Sequence, residues 1–389
     1  MSRAFTTCAR TCARSVLYAG RWGPADPMPR LSPIPQRVPD GAAPESVTAS
    51  VSHALVACAA ESSSARTWCI VGAGHDVHGQ LGGGTCASLS TALLHADWAR
   101  GAPHLAVAAG NGFSCASTGR ALYAWGTGVR GQTALGAREE VHVPARVQLP
   151  DEDVLIEAVA AGLDHIVVLA LHTDGQLGRT TGAPFSAYLA PIRPLPLHAD
   201  EQIALVRAGG DTSLAATSAG RVFVWGNNEY GQGLDAGNTA DQIRVPTESA
   251  ALEMLSARLV DAQIGGSFVL LLDADGAVYS AGYGATGRRA RHSDALAAGL
   301  DRTVSRVSLP ARCVRIAAGL HYAAAATDDG LYVWGIDQDG RLGLGPGGVD
   351  TPCDAAERRV PTPQCVNVSG HVVDVACGGE SMVVLIEAK

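Results

Sequence analysis

Lysine is nearly absent from this sequence. Lys389 is the only lysine among 29 basic residues, and 37 acidic residues leave a formal net charge of −8. A protein that binds nucleic acid over a broad surface carries a large basic excess, so the composition argues against that class. Long apolar runs are missing too, since none approaches the roughly 18 residues that a membrane-spanning helix takes.

Catalytic and metal-binding motifs are also missing. The chain has no Walker loop, no Gly-x-Ser-x-Gly turn and no His-Glu-x-x-His helix, so we expect no catalytic residue and no cofactor. Its ten cysteines include no Cys-x-x-Cys pair, which predicts reduced thiols and no metal site. Five of them adjoin strand-like segments and are expected to be buried as small apolar residues: Cys58, Cys69, Cys115, Cys313 and Cys377.

What the sequence does contain is an internal repeat of about 50 residues. A first landmark ends a β-like run in a small-residue turn, as in Ile316-Ala317-Ala318-Gly319. A second landmark follows about 16 residues later. Its best copies end in a Trp-Gly pair to which we assign a structural role in each repeat: Trp125-Gly126, Trp225-Gly226 and Trp334-Gly335. A fixed period of this size indicates stacked supersecondary units.

The order of the landmarks indicates how the units close. When degenerate copies are included, each landmark occurs seven times. The first landmark met along the chain is a copy of the second type, and the last is a copy of the first type. The strand near Val16–Gly20 therefore needs the C-terminal segment Val372–Ile386 as its partner. We predict an all-β, seven-bladed β-propeller over residues 15–389, closed by a clasp between its N- and C-terminal strands. The three repeat tryptophans are expected to be mostly buried between blades.

These repeats resemble those of the regulator of chromosome condensation family. Three stretches are similar to its mitochondrial, Williams–Beuren-region branch: Val222–Tyr230, Val278–Gly284 and Val372–Val383. The resemblance implies a seven-bladed propeller. It also implies a role in assembly of the mitochondrial large ribosomal subunit or in an rRNA pseudouridylation module, or nucleotide exchange on a dynamin-like GTPase of the inner membrane.

The first 14 residues have the composition of a mitochondrial transit peptide. They contain Arg3, Arg10 and Arg14 with three threonines and a serine, and the first acidic residue is Asp26. An arginine-rich, hydroxyl-rich start without acid is typical of such leaders. We therefore expect a location in the matrix or at the inner membrane, with a disordered tail and a cytoplasmic protein as the alternative.

Three groups of polar residues are candidates for a partner surface. Asp164, His165 and His321 closely follow first-landmark glycines, where they would form a polar ring around one mouth of the channel. Glu229 and Tyr230 follow Trp225-Gly226. The alternative is structural, because a residue that recurs with a repeat stabilises its own turn or packs beside it.

The third group is a run of arginines in an otherwise acidic chain. Arg288, Arg289, Arg291 and Arg302 begin a segment that extends to Arg315. Guanidinium groups suit bidentate phosphate contacts, and a loop on a rigid scaffold is where binding residues concentrate. The segment is thus a candidate rRNA contact, against the alternative of an ordinary solvated loop.

Three functions remain open. The first is a non-catalytic scaffold in mitochondrial ribosome assembly or rRNA modification, with assembly proteins and rRNA as partners. The second is a guanine-nucleotide exchange factor for a mitochondrial dynamin-like GTPase. The third is a cytosolic protein-binding module. In each case we expect a monomeric propeller without a membrane span.

Overall fold

The structure is a computed structural model that describes residues 14–21, 28–34, 38–62, 64–136, 139–149, 154–171, 195–235, 237–249, 255, 257–284, 300–345 and 358–388. Twenty-six strands and one short 3₁₀ helix, Asp97–Ala99, account for its regular elements. The prediction of an all-β propeller is confirmed. No helix of the described part of the chain is long and apolar enough to cross a membrane.

Six antiparallel sheets of four strands form the described blades. The first blade comprises β3 (Ala42–Ala49), β4 (His53–Ala60), β5 (Thr67–Asp76) and β6 (Ala87–His95). The second comprises β7 (Ala106–Ala109), β8 (Phe113–Ser117), β9 (Leu122–Thr127) and β10 (Glu140–Arg146). A two-stranded pair follows, β11 (Leu155–Ala161) and β12 (Ile166–Leu171). Residues 172–194 lie outside the described residues, so the predicted count of seven blades stays a prediction.

The C-terminal half repeats the same plan. The third blade comprises β13 (Ile203–Gly209), β14 (Thr212–Thr217), β15 (Val222–Asn227) and β16 (Gln242–Glu248). The fourth comprises β17 (Leu259–Ile264), β18 (Phe268–Asp273), β19 (Val278–Tyr283) and β20 (Leu300–Arg306). The fifth comprises β21 (Cys313–Ala318), β22 (Tyr322–Thr327), β23 (Gly330–Asp337) and β24 (Arg358–Val366).

Both ends of the described chain contribute to the terminal blade. Its strands are β25 (His371–Cys377), β26 (Ser381–Glu387), β1 (Arg14–Gly20) and β2 (Met28–Pro33), in that order across the sheet. β1 pairs with β26 without a register shift, from Arg14 opposite Glu387 to Gly20 opposite Ser381.

The second strand of each blade is the most buried. Every residue of β14, β18 and β22 is buried, and Ala323 to Ala326 are fully buried. A sheet packed on both faces selects continuous small or apolar residues over an alternating pattern, and such runs fill the space between neighbouring blades. The five cysteines that were expected to be buried are buried.

Two of the three repeat tryptophans behave as packing residues. Trp125 and Trp334 are fully buried, and the Trp125 indole N–H donates to the Gln80 carbonyl of the first blade at 2.8 Å. Trp225 is half-buried, so it is less enclosed than the other two but does not contradict the prediction of a mostly buried side chain.

The glycine after each tryptophan is fixed by sterics. Gly126 has φ +97°, and a Cβ there would lie 2.4 Å from the carbonyl oxygen of Gly112. Such a backbone conformation favours glycine, so the Trp-Gly pair combines a packing side chain with a close backbone approach.

Candidate functional site

Two sets of loops share one face of the propeller. In each four-stranded blade, the loop between the first and second strands and the loop between the third and fourth strands emerge at the same end. We call this end the mouth face, since it surrounds the opening of the central channel. The b–c turns, between the second and third strands, lie at the opposite end, as at Glu61–Arg66 of the first blade.

Backbone hydrogen bonds join the loops of the mouth face from blade to blade. The Asn111 N–H donates to the Leu163 carbonyl at 3.1 Å, and the Leu163 N–H donates to the Gly210 carbonyl at 2.7 Å. The Gly379 N–H donates likewise to the Ser50 carbonyl at 2.9 Å. These bonds hold the loops as a rigid rim, which is the kind of platform on which proteins place binding residues.

The first-landmark glycines allow this close approach. A Cβ on Gly209 would lie 2.1 Å from the Ile264 carbonyl oxygen of the next blade, and a Cβ on Gly378 would lie 2.5 Å from that of Ser50. At the first landmark the backbones of neighbouring blades are in direct contact. A side chain larger than glycine would clash there, which is why a small residue recurs at this position.

The channel behind this rim has a cavity of about 600 Å³ lined by the innermost strands. Most of its wall is glycine, alanine and valine, but four charged side chains interrupt it. Arg207 and Asp261 form an ion pair with Nη2 and Oδ1 2.6 Å apart. Asp374 accepts backbone N–H groups from Val47 at 3.2 Å and Val375 at 3.0 Å, and burial raises its pKa. The fourth is Arg315.

A second cavity, of about 460 Å³, opens on the mouth face, and we call it the mouth cleft. The first, second, fifth and terminal blades all contribute to its wall. Its charged or titratable side chains are His75, His78, His321, Arg341 and Glu380.

Arg341 is the most unusual of these, because it is a buried cation. Only 3% of it is exposed. Its guanidinium donates to the Gly379 carbonyl of the terminal blade and to the side-chain oxygen of Gln338 at 2.6 Å, and it lies 5.6 Å from the ring centroid of Tyr322. Arginine suits such a place since its planar group is weakly hydrated and stacks on aromatic faces.

Glu380 supplies negative charge at the rim of the cleft. Its carboxylate lies 3.7 Å from His75 Nε2 and 3.6 Å from Arg21 Nε. Nearby, His78 Nδ1 lies 2.6 Å from Glu140, and that hydrogen bond is the main cause that lowers the pKa of the Glu140 carboxyl. The cleft therefore presents both signs of charge within one rigid opening.

Asp164 and His165 lie on the mouth face, and each is engaged with a neighbouring blade. Asp164 pairs with Arg130 of the second blade. His165 Nε2 lies 2.8 Å from Ser213 Oγ of the third blade, and burial is the main cause that lowers the pKa of His165. His165 thus joins two sheets, which differs from both the polar ring and the turn-stabilising role considered from the sequence.

His321 lies two residues after its landmark glycine, one residue earlier than His165 does. His53 starts β4 and its Nε2 lies 2.6 Å from Ser114 Oγ of the next blade, which is the kind of contact that His165, three residues after Gly162, makes with Ser213. In the fifth blade Tyr322 holds that place, and its hydroxyl donates to the Ser381 carbonyl at 2.7 Å. His321 precedes Tyr322 and is half-buried in the wall of the mouth cleft.

Glu229, Tyr230 and Arg302 also reach the mouth face. Glu229 is exposed, whereas the Tyr230 ring packs at 5.7 Å from that of Tyr283 in the fourth blade. Arg302 donates to the Asn228 carbonyl at 3.0 Å, so it braces the loop that carries Glu229. Arg288, Arg289 and Arg291 lie outside the described residues.

The sequence did not single out His75, His78, Arg341 or Glu380. One signal was available for Arg341, which occupies the glutamine position of the Gly-Gln-Leu-Gly element in Gly340-Arg341-Leu342-Gly343. In the other copies Gln80 and Gln232 accept N–H bonds from their own loops at 2.9 Å. Among the described residues, no group of three or more His, Cys, Asp or Glu is placed to hold a metal ion.

Comparison with family models identifies the repeats. A model described as the regulator of chromosome condensation (RCC1) repeat matches residues 121–169, 219–272 and 328–385, and a second model with this description matches residues 203–232.

Curated relatives are similar at low identity. The secretion-regulating guanine nucleotide exchange factor of Mus musculus is 30% identical over 250 residues, 59% of this chain and 52% of the relative. The RCC1-like G exchanging factor-like protein of Homo sapiens is 28% identical over 260 residues, 64% of this chain and 53% of the relative. The ultraviolet-B receptor UVR8 of Arabidopsis thaliana is 27% identical over 343 residues, 84% and 72% of the two chains. The chain thus spans about half the length of the two exchange-factor relatives.

Two solved structures have the same fold. Human WBSCR16 matches with a TM-score of 0.72 and 22% identity, over 97% of this chain and 99% of that one. Prp20p of Saccharomyces cerevisiae matches with a TM-score of 0.76 and 20% identity, over 97% and 92% of the two chains.

Proposed function

Because this chain belongs to the regulator of chromosome condensation repeat family, we propose that it is a non-catalytic propeller scaffold that binds a GTPase through its mouth face and promotes release of the bound nucleotide. The observation that carries this proposal is the mouth cleft, a charged opening of about 460 Å³ set in a rim of hydrogen-bonded loops. Relatives named as guanine nucleotide exchange factors support the choice of partner.

The chemistry of exchange needs a charged surface more than a catalytic residue. A P-loop GTPase holds its nucleotide through backbone N–H groups, a lysine and Mg²⁺. A docked carboxylate such as Glu380 or the exposed Glu229 offers that lysine or ion a competing partner. A rigid rim favours this, because a preorganised surface loses little conformational freedom on binding.

The test is a nucleotide-release assay with candidate GTPases loaded with fluorescent GDP. Glu380→Gln should slow release, since it removes charge from the cleft without changing the shape of the side chain. The matched control is Glu61→Gln in the b–c turn at the opposite end of the first blade. Glu61 is 73% exposed and pairs with Arg66 at 3.2 Å, so this variant loses an equivalent surface pair and should release nucleotide like the wild type. Equal rates for all three proteins would refute the role of the cleft.

We also propose that the β11–β12 pair belongs to a seventh blade, and that the pairing of β1 with β26 in the terminal blade closes the ring. β11 contacts β7 of the second blade and β13 of the third, so the β11–β12 pair occupies a place between two complete blades. Deleting residues 372–389 would expose the edge of β1 and should cause aggregation. A truncated protein that stays monomeric and melts like the full chain would contradict the closure.

A second candidate function is a scaffold in mitochondrial ribosome assembly, supported by the arginine-rich leader and by the run from Arg288 to Arg302. Replacing Arg3, Arg10 and Arg14 with glutamate should leave a tagged protein in the cytosol. An unchanged mitochondrial signal would show that these arginines do not direct import, and a wild type found only in the cytosol would favour the cytosolic module. Changing Arg288, Arg289 and Arg291 to serine should lower crosslinking to rRNA and flatten its salt dependence by about one unit of slope for each lost contact. If the variant and the wild type crosslink to rRNA equally, the scaffold hypothesis would rest on protein partners only.

A further inference from the structure

One outer strand differs from the others that the structure describes. The outermost strands of the six described blades are β2, β6, β10, β16, β20 and β24. Five of them carry at least two residues that are proline or charged, such as Pro144 in β10, Pro246 in β16, and Asp301 with Arg302 in β20. β6 reads Ala-Ser-Leu-Ser-Thr-Ala-Leu-Leu-His over Ala87–His95, with no proline and no Asp, Glu, Lys or Arg.

β6 is also the most regular of these strands. The other five change register against their neighbour within the ladder, as β10 does between Val141 and Ala145. β6 pairs with β5 in one unbroken register from His95 opposite Cys69 to Ser90 opposite Gly74, and shifts only beyond that point. Proline, charge and bulges are the devices by which proteins protect a sheet edge from pairing with another chain. β6 has none of them along this stretch.

The backbone groups of β6 that face away from β5 can be identified from the ladder; one of them, the Thr91 carbonyl, accepts the Ser90 hydroxyl at 3.4 Å. The Ala96 N–H donates to the Trp68 carbonyl at 2.9 Å. Since bonded pairs alternate along an antiparallel ladder, Leu94, Ala92 and Ser90 bond to β5. The N–H and C=O groups of Thr91, Leu93 and His95 therefore point away from the blade. Thr91 and Leu93 are exposed, and Leu93 is one of the larger apolar side chains on the surface, at 37%.

We infer that β6 is a dimerisation edge, which pairs antiparallel with β6 of a second copy of this chain. Antiparallel pairing of a strand with itself places each residue opposite its mirror position, so any charge near the centre would meet a like charge. β6 is free of that penalty. Full overlap of the nine residues puts Thr91 opposite Thr91 and Leu89 opposite Leu93 of the partner copy. Thr–Thr and apolar pairs are both favourable across strands, and the outward backbone groups of Thr91 meet those of Thr91 in the second copy in this register.

The test is the mass of the full chain in solution as a function of concentration, measured by sedimentation. We expect the wild type to rise from 39.8 kDa towards twice that value. Thr91→Lys places two ammonium groups at the centre of the pairing and should hold the protein at the monomer mass. Thr247→Lys is the matched control, because Thr247 is an exposed threonine of β16, an outer strand that already contains Pro246. This variant should associate like the wild type.

Hydrogen exchange gives a second readout that does not need a variant. The N–H groups of Thr91 and Leu93 should exchange several-fold more slowly as the concentration rises, whereas those of β16 should not change. A wild type that stays at 39.8 kDa up to its solubility limit would overturn the inference, even if β6 then captured an extended peptide from another protein. Equal association of the Thr91→Lys and Thr247→Lys proteins would overturn it too.

Discussion

The first and second blades share one plan and differ at their outer strands. Both begin the second strand opposite a glycine of the third strand that has a positive φ, with His53 paired to Gly74 and Phe113 to Gly126. In the second blade the outer strand β10 shifts register around Pro144, whereas in the first blade β6 keeps one register from His95 to Ser90 and shifts only beyond Ser90. The plan therefore fixes the three inner strands and leaves the outer one free to vary.

The outer strand itself decides whether the bulge forms. In five blades the register between the third and outer strands changes at the third-strand residue that precedes the landmark glycine. That residue is a tryptophan in three blades (Trp125, Trp225 and Trp334) and an alanine in two (Ala281 and Ala19). A large side chain in the third strand is thus not needed. Four of the five bulged outer strands contain proline, which cannot donate to a ladder and is found at edges and bulges.

The largest expected effect comes from the contact that joins these two blades. Trp125 of the second blade is fully buried and bonds to Gln80 of the first. Trp125→Ala should lower the free energy of unfolding by about 3–5 kcal/mol, since it removes a large buried side chain and leaves a cavity. Trp225→Ala should cost less because Trp225 is half-buried. Chemical denaturation of both variants checks the order; equal losses would show that burial does not rank these positions.

The next effect concerns the residue that starts the second strand, histidine in the first blade and phenylalanine in the second. Burial lowers the pKa of His53 to about 3. In the unfolded chain His53 has a pKa near 6.5, so below that pH it binds a proton that the buried imidazole of the folded state does not bind. Stability is therefore full above about pH 6.5 and falls by about 1.4 kcal/mol per pH unit as the pH drops from there towards 3.

His53→Phe puts the residue of the second blade into the first and should remove this contribution. Unfolding free energies measured between pH 7 and pH 4.5 should fall less steeply in the variant than in the wild type. The matched control is His95→Phe, since His95 is exposed at the end of β6; its pH dependence should equal that of the wild type. A parallel decline in His53→Phe would mean that other groups, such as His165, dominate the acid response.

Sequence reasoning predicted the repeats and the all-β propeller because both depend on patterns that recur along the chain. Gly209 and Gly378 each lie against a backbone carbonyl of the next blade. Because the same close contact recurs in the other repeats, glycine recurs there too, and the sequence shows the pattern. The mouth cleft could not be predicted in this way. His75, Arg341 and Glu380 belong to different blades, and each occurs once, so only the packing of these blades against one another brings them together. His321 and Tyr322 show the limit of aligning repeats by their landmark glycines. These two residues are neighbours in the sequence, yet His321 lines the mouth cleft and Tyr322 is fully buried.

The smallest expected effect converts the outer strand of the first blade towards that of the second. Thr91→Pro removes an N–H that points away from β5, and proline is tolerated on an edge strand at such a position. It should change the unfolding free energy of the monomer by no more than about 0.5 kcal/mol. Ala92→Pro removes the neighbouring N–H, which bonds to Gly72 in the ladder, and leaves a buried carbonyl without its donor at a cost of about 1–3 kcal/mol. Thermal melts of the two variants under monomeric conditions separate them. A similar loss in both would show that the two N–H groups are equally engaged, and that the edge of the first blade is not open as the ladder indicates.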